Sequence, residues 1–268
     1  MKLLDDFFEK WKIEYYRVVD FSFLRVSNER ILNRCDFTPR CAIIFLLPYF
    51  TIAPENISRY ATSVDYHILV KEVTDELCET LLREFPESKS YGFGDHSPID
   101  ERHASLIAGL GILGDNGLLI NEKYGSYVFI ADVLTDIPPE MLEATPPCEI
   151  SCCIHCGACR RACPTQILSG GGVDCLSAIT QRKGELTADE ISLMIKYNTV
   201  WGCDICQSVC PYNKTPRLTP IDFFYRDRID RLTDELLLSL TDETLRSRAF
   251  GWRGRAVLER NLEKTKTN

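Results

Sequence analysis

Apolar residues recur along the first half of the chain in two distinct periods. Between Cys41 and Phe50 they are continuous and rich in branched side chains, which predicts a buried strand. From Asp65 to Phe85 they fall at Leu69, Val73, Leu77 and Leu81, a spacing that predicts a helix with one apolar face. Ile99–Leu110 reads as a second helix stopped by Gly111. Gly117–Asn121 and Ser126–Leu134 read as a pair of strands around the Lys123-Tyr124-Gly125 turn. Pro138, Pro139, Pro146 and Pro147 predict a linker. Further on, Thr187-Ala-Asp-Glu190 has the Thr-x-x-Glu form of a capping box and predicts a helix from Thr187 to about Tyr197. The stretch after Pro216 is helical and charged. Mixed α/β is the fold class these elements imply.

Composition adds a compartment and an oddity. The 268 residues are 45% hydrophobic and 26% charged, with a net charge of −8. Such a balance suits a globular protein and argues against one that coats nucleic acid non-specifically. The longest apolar run, Cys41 to Tyr49, is broken by Pro48 and is far short of a bilayer span. Asp5 and Asp6 follow the first four residues, so no secretory apolar segment is expected. A cytoplasmic protein without membrane contact is the expectation. Thirteen cysteines in a reducing compartment are not expected to be disulfides.

Eight of them fall between Cys153 and Cys210. The first group reads Cys153-Ile-His-Cys156-Gly-Ala-Cys159-Arg-Arg-Ala-Cys163-Pro164, the C-x2-C-x2-C-x3-C-P run of bacterial ferredoxins. The second reads Cys203-Asp-Ile-Cys206-Gln-Ser-Val-Cys210-Pro211, with Cys175 between the groups. A cubane needs four converging thiolates. Three come from one tight loop, and in two-cluster ferredoxins the cysteine before proline serves the other cluster. Cluster one then takes Cys153, Cys156, Cys159 and Cys210. Cluster two takes Cys203, Cys206 and Cys163, with Cys175 as fourth ligand and Cys148 or Cys152 as its rivals. Structural zinc needs only two C-x2-C pairs, so the further cysteines are surplus to it. Covalent haem is not indicated, because Gly157 and not histidine follows Cys156. Two 4Fe–4S clusters make an electron relay. The roughly 145 residues before them leave room for a separate cofactor or substrate domain.

An ordered series of further motifs carries a resemblance. Ala61-Thr-Ser-Val-Asp65-Tyr66-His67 comes first, then Asp95-His-Ser-Pro-Ile-Asp-Glu-Arg102 and Ala108-Gly109-Leu110-Gly111. Asn116-Gly-Leu-Leu-Ile, Tyr124-Gly125-Ser126-Tyr127 and Leu134-Thr135-Asp136 follow. After the first cysteine run come Asp174-Cys175-Leu176, Gly202-Cys203-Asp204-Ile-Cys206-Gln207, Cys210-Pro211-Tyr-Asn213 and Arg260-Asn261. Together these resemble the epoxyqueuosine reductases, cobalamin- and iron–sulfur-dependent enzymes related to reductive dehalogenases that complete queuosine in tRNA.

The resemblance implies an α/β corrinoid and substrate domain over 1–145 and a ferredoxin-like domain with two 4Fe–4S clusters over 146–215. A short helical, basic segment over 216–268 would follow, in place of the family's C-terminal helical-repeat domain. It also implies an oxidoreductase fed by an external low-potential electron donor. Asp95 would donate a proton, and Asp95, Arg102, Tyr124, Gly125 and Ser126 would face the corrinoid. Arg102 is a partner either for Asp95 or for a corrinoid amide. Read without the resemblance, Asp95 is a turn or helix-cap residue, and Tyr66 and His67 are packed rings. Asp115 stands where the family usually has lysine. Seven Lys/Arg after residue 245 offer either a solvated tail or a surface for tRNA phosphates. Two other readings stay open at this point: a two-cluster electron-transfer protein without corrinoid, and a corrinoid reductase whose substrate is not tRNA.

Overall fold

The fold is described from a computed structural model over residues 2–172 and 174–266. The first residue of the expected 1–145 domain and the last two of the 216–268 segment lie outside the described residues. By its contacts the chain forms two compact units. One comprises Met1–Pro48 with His67–His155, and the other Tyr49–Tyr66 with Cys156–Asn268.

The first unit is built on a four-stranded antiparallel sheet. It contains α1 (Lys2–Lys10), β1 (Tyr16–Asp20), α2 (Glu29–Leu32), β2 (Cys41–Pro48), α3 (Tyr66–Glu84), β3 (Ser90–Gly94), α4 (Glu101–Ile107), β4 (Ile112–Leu113), β5 (Leu119–Ile120) and β6 (Val128–Thr135). The strand order is β1-β2-β6-β3. All eight residues of β2 are buried, which explains why its run is continuous rather than alternating: it is an interior strand covered on both faces. Helix α3 covers one face. Leu69, Val73, Leu77 and Leu81, which predicted it, are all buried. Its close approach requires glycine on the edge strand, where a Cβ at Gly92 would lie 2.2 Å from the Thr74 side chain and one at Gly94 2.7 Å from Val70. The opposite face, carrying Ile44, Phe93 and Leu134, packs against Ala104, Ile107 and Ala108 of and just after α4.

Three sequence expectations change here. The second helix is shorter than Ile99–Leu110. Asp100 caps it by accepting the His103 N–H, and Gly109 at φ +69° turns the chain out before Gly111. The strands around Lys123-Tyr124-Gly125 are not partners of each other. β5 pairs with β4, while β6 runs between β2 and β3 in the main sheet. Asn121 is the cause: its side chain donates to the Leu110 carbonyl and accepts the N–H groups of Lys123 and Tyr124. That ties the turn to the end of α4 and separates the strands. The proline-rich stretch, finally, is no free linker. Thr145, Cys148 and Cys153 donate backbone hydrogen bonds to Val18, Ile107 and Leu113, so the first unit runs on to His155.

The second unit contains α5 (Ala158–Ala162), α6 (Leu176–Gln181), α7 (Ala188–Lys196), α8 (Ile205–Ser208), α9 (Asp234–Ser239), α10 (Asp242–Arg246) and α11 (Arg255–Thr265). The capping box at Thr187 and Glu190 is formed and starts α7. The chain was expected to divide at 215/216, but the later helices share one apolar core with the earlier part, around Trp201, Leu237, Phe250 and Leu258. Buried asparagines stitch distant segments into it. Asn56 exchanges two hydrogen bonds with the backbone of Leu232, and Asn261 donates to the carbonyls of Thr180 and Val200. Segment 49–66 therefore belongs here, which chain order does not reveal. Among the described residues no helix is long and apolar enough to cross a membrane.

Candidate functional site

The cysteines of the second unit sit at helix ends and in short loops. Helix α5 carries buried Cys159, and Cys163 ends it. Burial alone would raise the Cys163 thiol, but backbone N–H groups of Leu168, Thr165 and Ile167 and the Thr165 hydroxyl outweigh it and hold the thiol below its ordinary value. A sulfur cradled by amide N–H groups is prepared to be an anionic ligand. Helix α5 packs against α8, which carries Cys206. Cys203 lies just before α8. Burial, with the neighbouring sulfurs of Cys175 and Cys206 adding to it, pushes its thiol up to about 12. Cys175, assigned on spacing alone, is thus brought beside Cys203 and Cys206. Unpaired by metal, such thiols repel one another's ionisation; a cation among them reverses that preference. All thirteen cysteines are free thiols. The loop before α8 is fixed by Asp204, a buried carboxyl that accepts hydrogen bonds from the Ser58 hydroxyl and the Arg59 N–H.

The rival ligands lie in the first unit. The Cys148 N–H is bonded to the Ile107 carbonyl, its sulfur packs on Gly109, and Cys152 bridges to Leu113. Cys153 belongs to the first unit, whereas Cys156 and Cys159 belong to the second. The sequence did not single out the pairing of His155 with Asp115, whose Nδ1 and Oδ1 atoms are 2.7 Å apart beside the Cys153 thiol. Its only signals were a histidine inside the C-x2-C loop and the aspartate that departs from the family's lysine.

Asp95 occupies the residue after β3. Its φ of +62° lies in the left-handed region, and the His96 N–H closes a tight turn onto the Gly94 carbonyl at 2.8 Å. A non-glycine residue held there is strained, a feature that collects at functional sites. The helix cap expected as its alternative role is taken by Asp100. His67, expected as a packed ring, instead places Nε2 3.2 Å from the Asp95 carboxylate, while Tyr66 is buried as expected. Arg102 binds the Gly117 carbonyl at 3.0 Å rather than Asp95. Tyr124 is buried and donates to Glu14 at 3.0 Å. Gly125, at φ +60°, pairs backbone to backbone with Asn121, and Ser126 is buried beside it.

Two carboxyls escaped the sequence reading altogether. Burial pushes Glu101 up to about 8, with Asp132 and Asp95 adding to the shift. Asp132 is raised by burial to about 7, with Ser97 opposing weakly. No hydrogen bond of ordinary geometry reaches either Asp132 oxygen or Glu101 Oε1. A buried aspartate in an apolar strand leaves no periodic signature, because the strand pattern around it is otherwise continuous.

A double set of cysteine ligand loops follows an antiparallel α+β unit that presents a strained acid, so the chain is built as an iron–sulfur redox protein. Residues 152–213 match the 4Fe-4S double cluster binding domain. An epoxyqueuosine reductase of Gloeobacter violaceus is 33% identical over 218 residues, covering 76% of this chain and 67% of that one. One from Leadbetterella byssophila is 36% identical over 176 residues, covering 65% and 57%. The chain belongs to the epoxyqueuosine reductase family. It spans between about half and two thirds of the length of these relatives. In fold it matches the epoxyqueuosine reductase of Streptococcus thermophilus with a TM-score of 0.76 at 22% identity, over 98% of this chain and 80% of that one. An epoxyqueuosine reductase crystallised with an epoxyqueuosine-modified tRNA-Tyr stem loop matches with a TM-score of 0.74.

Proposed function

We propose that this protein reduces the epoxide of epoxyqueuosine in tRNA to the alkene of queuosine. The observation that carries this reading is Asp95. In a chain of this family it is strained into a tight turn, with His67 and Glu101 against it, and it accompanies a complete set of cluster cysteines. The reaction consumes two electrons and two protons: both bonds from carbon to the epoxide oxygen break, a carbon–carbon double bond forms, and the oxygen leaves as water. Asp95 is the acid that protonates the departing oxygen.

The thiols suit two 4Fe–4S clusters, one on Cys153, Cys156, Cys159 and Cys210, the other on Cys163, Cys175, Cys203 and Cys206. The grouping of Cys175 with Cys203 and Cys206 supports the second set. An external low-potential donor supplies their electrons. A corrinoid, when bound, supplies a strongly reducing cobalt centre. Arg102 and Tyr124 already hold protein partners, so they would offer it a fixed wall. Asp95 and the turn through Gly125 and Ser126 would offer polar contact.

The basic C-terminal segment contributes less free charge than its composition suggests. Arg248, Arg255 and Arg260 donate to backbone carbonyls within the second unit, and Lys266 pairs with Asp234. Among the described residues, Arg246, Arg253 and Lys264 are the cations of this segment left for tRNA phosphates. The test is Asp95→Asn in protein reconstituted with iron, sulfide and cobalamin. Cluster content and bound corrinoid should be unchanged while formation of queuosine falls by at least about 100-fold; full activity in this variant would remove Asp95 from the mechanism.

A further inference from the structure

The reduction takes up two protons per turnover, yet Asp95 can hold only one. What lies behind Asp95 therefore matters. On β6, Asp132 stands opposite Ile44 of β2 and Phe93 of β3. Both neighbours belong to the core facing α4, so the carboxyl points into apolar packing. It is 1% exposed, and no hydrogen bond of ordinary geometry reaches either oxygen, with Ser97 the polar side chain beside it. Burying a carboxyl in such a place is costly unless it keeps its proton. Glu101 opens α4, the helix packed over β6. Its Oε1 is buried without a partner, and its carboxyl accepts the backbone N–H of Asp95. Among the described residues the oxygens of these three acids do not converge as ligands around a cation would.

We propose that Asp132 and Glu101 form a buried proton store that recharges Asp95 between the two protonations of each reduction. The inference rests on the function proposed above. Both residues act through Asp95 and are positioning residues, with Glu101, the longer arm, as the intermediate. A proton leaves the Glu101 carboxyl for the Asp95 carboxylate, Glu101 is refilled from Asp132, and solvent refills the store after product leaves. The two electrons come from the cluster relay, so the step needs no other reductant.

The groups facing the pair are Asp95 and His67 at its open end, Ser97 beside Asp132, and Cys35, whose thiol is raised by burial and by Asp132. At the start of α4 it is Asp100; His103, lowered by burial and by Arg25, interacts with Arg25 and Asp100 instead. At pH 6 these surroundings keep both acids largely protonated, since burial raises Asp132 to about 7 and Glu101 to about 8; at pH 7 Asp132 is about equally protonated and ionised.

Infrared spectroscopy of the reconstituted protein, titrated from pH 5 to 9, tests the store without any substrate. Two carboxylic C=O bands should persist at pH 6 to 6.5, where exposed carboxyls are ionised (ordinary values about 4). One should be missing in Asp132→Asn and the other in Glu101→Gln. In turnover of epoxyqueuosine tRNA, Glu101→Gln should lower kcat by roughly 10- to 100-fold with KM unchanged, and Asp132→Glu should retain the wild-type pH profile. Wild-type protein with no protonated carboxyl at pH 6 overturns the proposal even if no variant folds. So does an unaltered pH–kcat profile in both neutral variants. Bands present in a protein that leaves epoxyqueuosine untouched would refute the substrate reading and the recharging role, and leave only two protonated buried acids.

Discussion

Asp132→Asn offers a stability measurement whose size follows from the structure. The Asp132 carboxyl is raised from its ordinary value of 3.8 to about 7, chiefly by burial. In the unfolded chain it ionises near the ordinary value. Between those two pH values the folded protein holds a proton that the unfolded chain has released. Stability therefore falls as pH rises through this window and is level above it. At about 1.4 kcal/mol per pH unit, the loss is on the order of 4 kcal/mol. An amide never ionises. The amide introduced by Asp132→Asn would leave its own polar atoms unpaired, a cost of about 1–3 kcal/mol that is the same at every pH and cancels in the comparison. Thermal unfolding of both reconstituted proteins at pH 4 and pH 8 is the assay. The gap between variant and wild type should move in the variant's favour by on the order of 4 kcal/mol from the lower to the higher pH, or roughly 8–16 °C in Tm. Two pH curves that stay parallel within about 1 kcal/mol would show that Asp132 is ionised in the folded protein, and the buried-acid reasoning would fail.

Further predictions concern the clusters and the packing. Cys175→Ala should lower iron content from about eight to about four per chain, whereas Cys148→Ala and Cys152→Ala should leave it unchanged; retention of all the iron in Cys175→Ala would move the fourth ligand elsewhere. Asn261→Ala removes two buried donors from the Thr180 and Val200 carbonyls and should cost about 2–5 kcal/mol in denaturant unfolding; a loss below about 1 kcal/mol would mean those carbonyls find other partners.

Local patterns in the sequence carried the fold well. The continuous run at Cys41–Pro48 and the fourfold spacing of Leu69, Val73, Leu77 and Leu81 each reported burial directly, and the capping box at Thr187 marked its helix start. Pairing was less legible, because it depends on side chains that reach across the chain. Asn121 redirected a predicted hairpin, and Asn56 and Asn261 drew segments 49–66 and 255–265 into one core with the cysteine loops. A polar residue that serves as a staple looks, in sequence, like any loop residue. The candidate site divided in the same way. Cysteine spacing is dictated by cubane geometry, and the double-cluster domain it implies is matched over residues 152–213; how the two clusters share the thiols is a proposal. Asp95 needed the family resemblance, and its helix-cap alternative was removed only when Asp100 was found in that place. Glu101 and Asp132 left no trace, since one carboxyl in an apolar strand does not disturb the period and burial is a property of the fold. The basic segment's two readings, a solvated tail or a phosphate-facing surface, cannot be separated by composition, which counts charge without showing that Arg248, Arg255 and Arg260 donate to backbone carbonyls.

One reaction tests the proposed activity most directly. Protein reconstituted with iron, sulfide and cobalamin should be given a low-potential reductant and tRNA bearing epoxyqueuosine, and the modified nucleoside then analysed by mass spectrometry. The expected product is lighter by one oxygen atom and forms only when clusters and corrinoid are both loaded. Unchanged epoxyqueuosine, with both clusters reducible and no corrinoid retained, would contradict that activity and leave an electron carrier in its place.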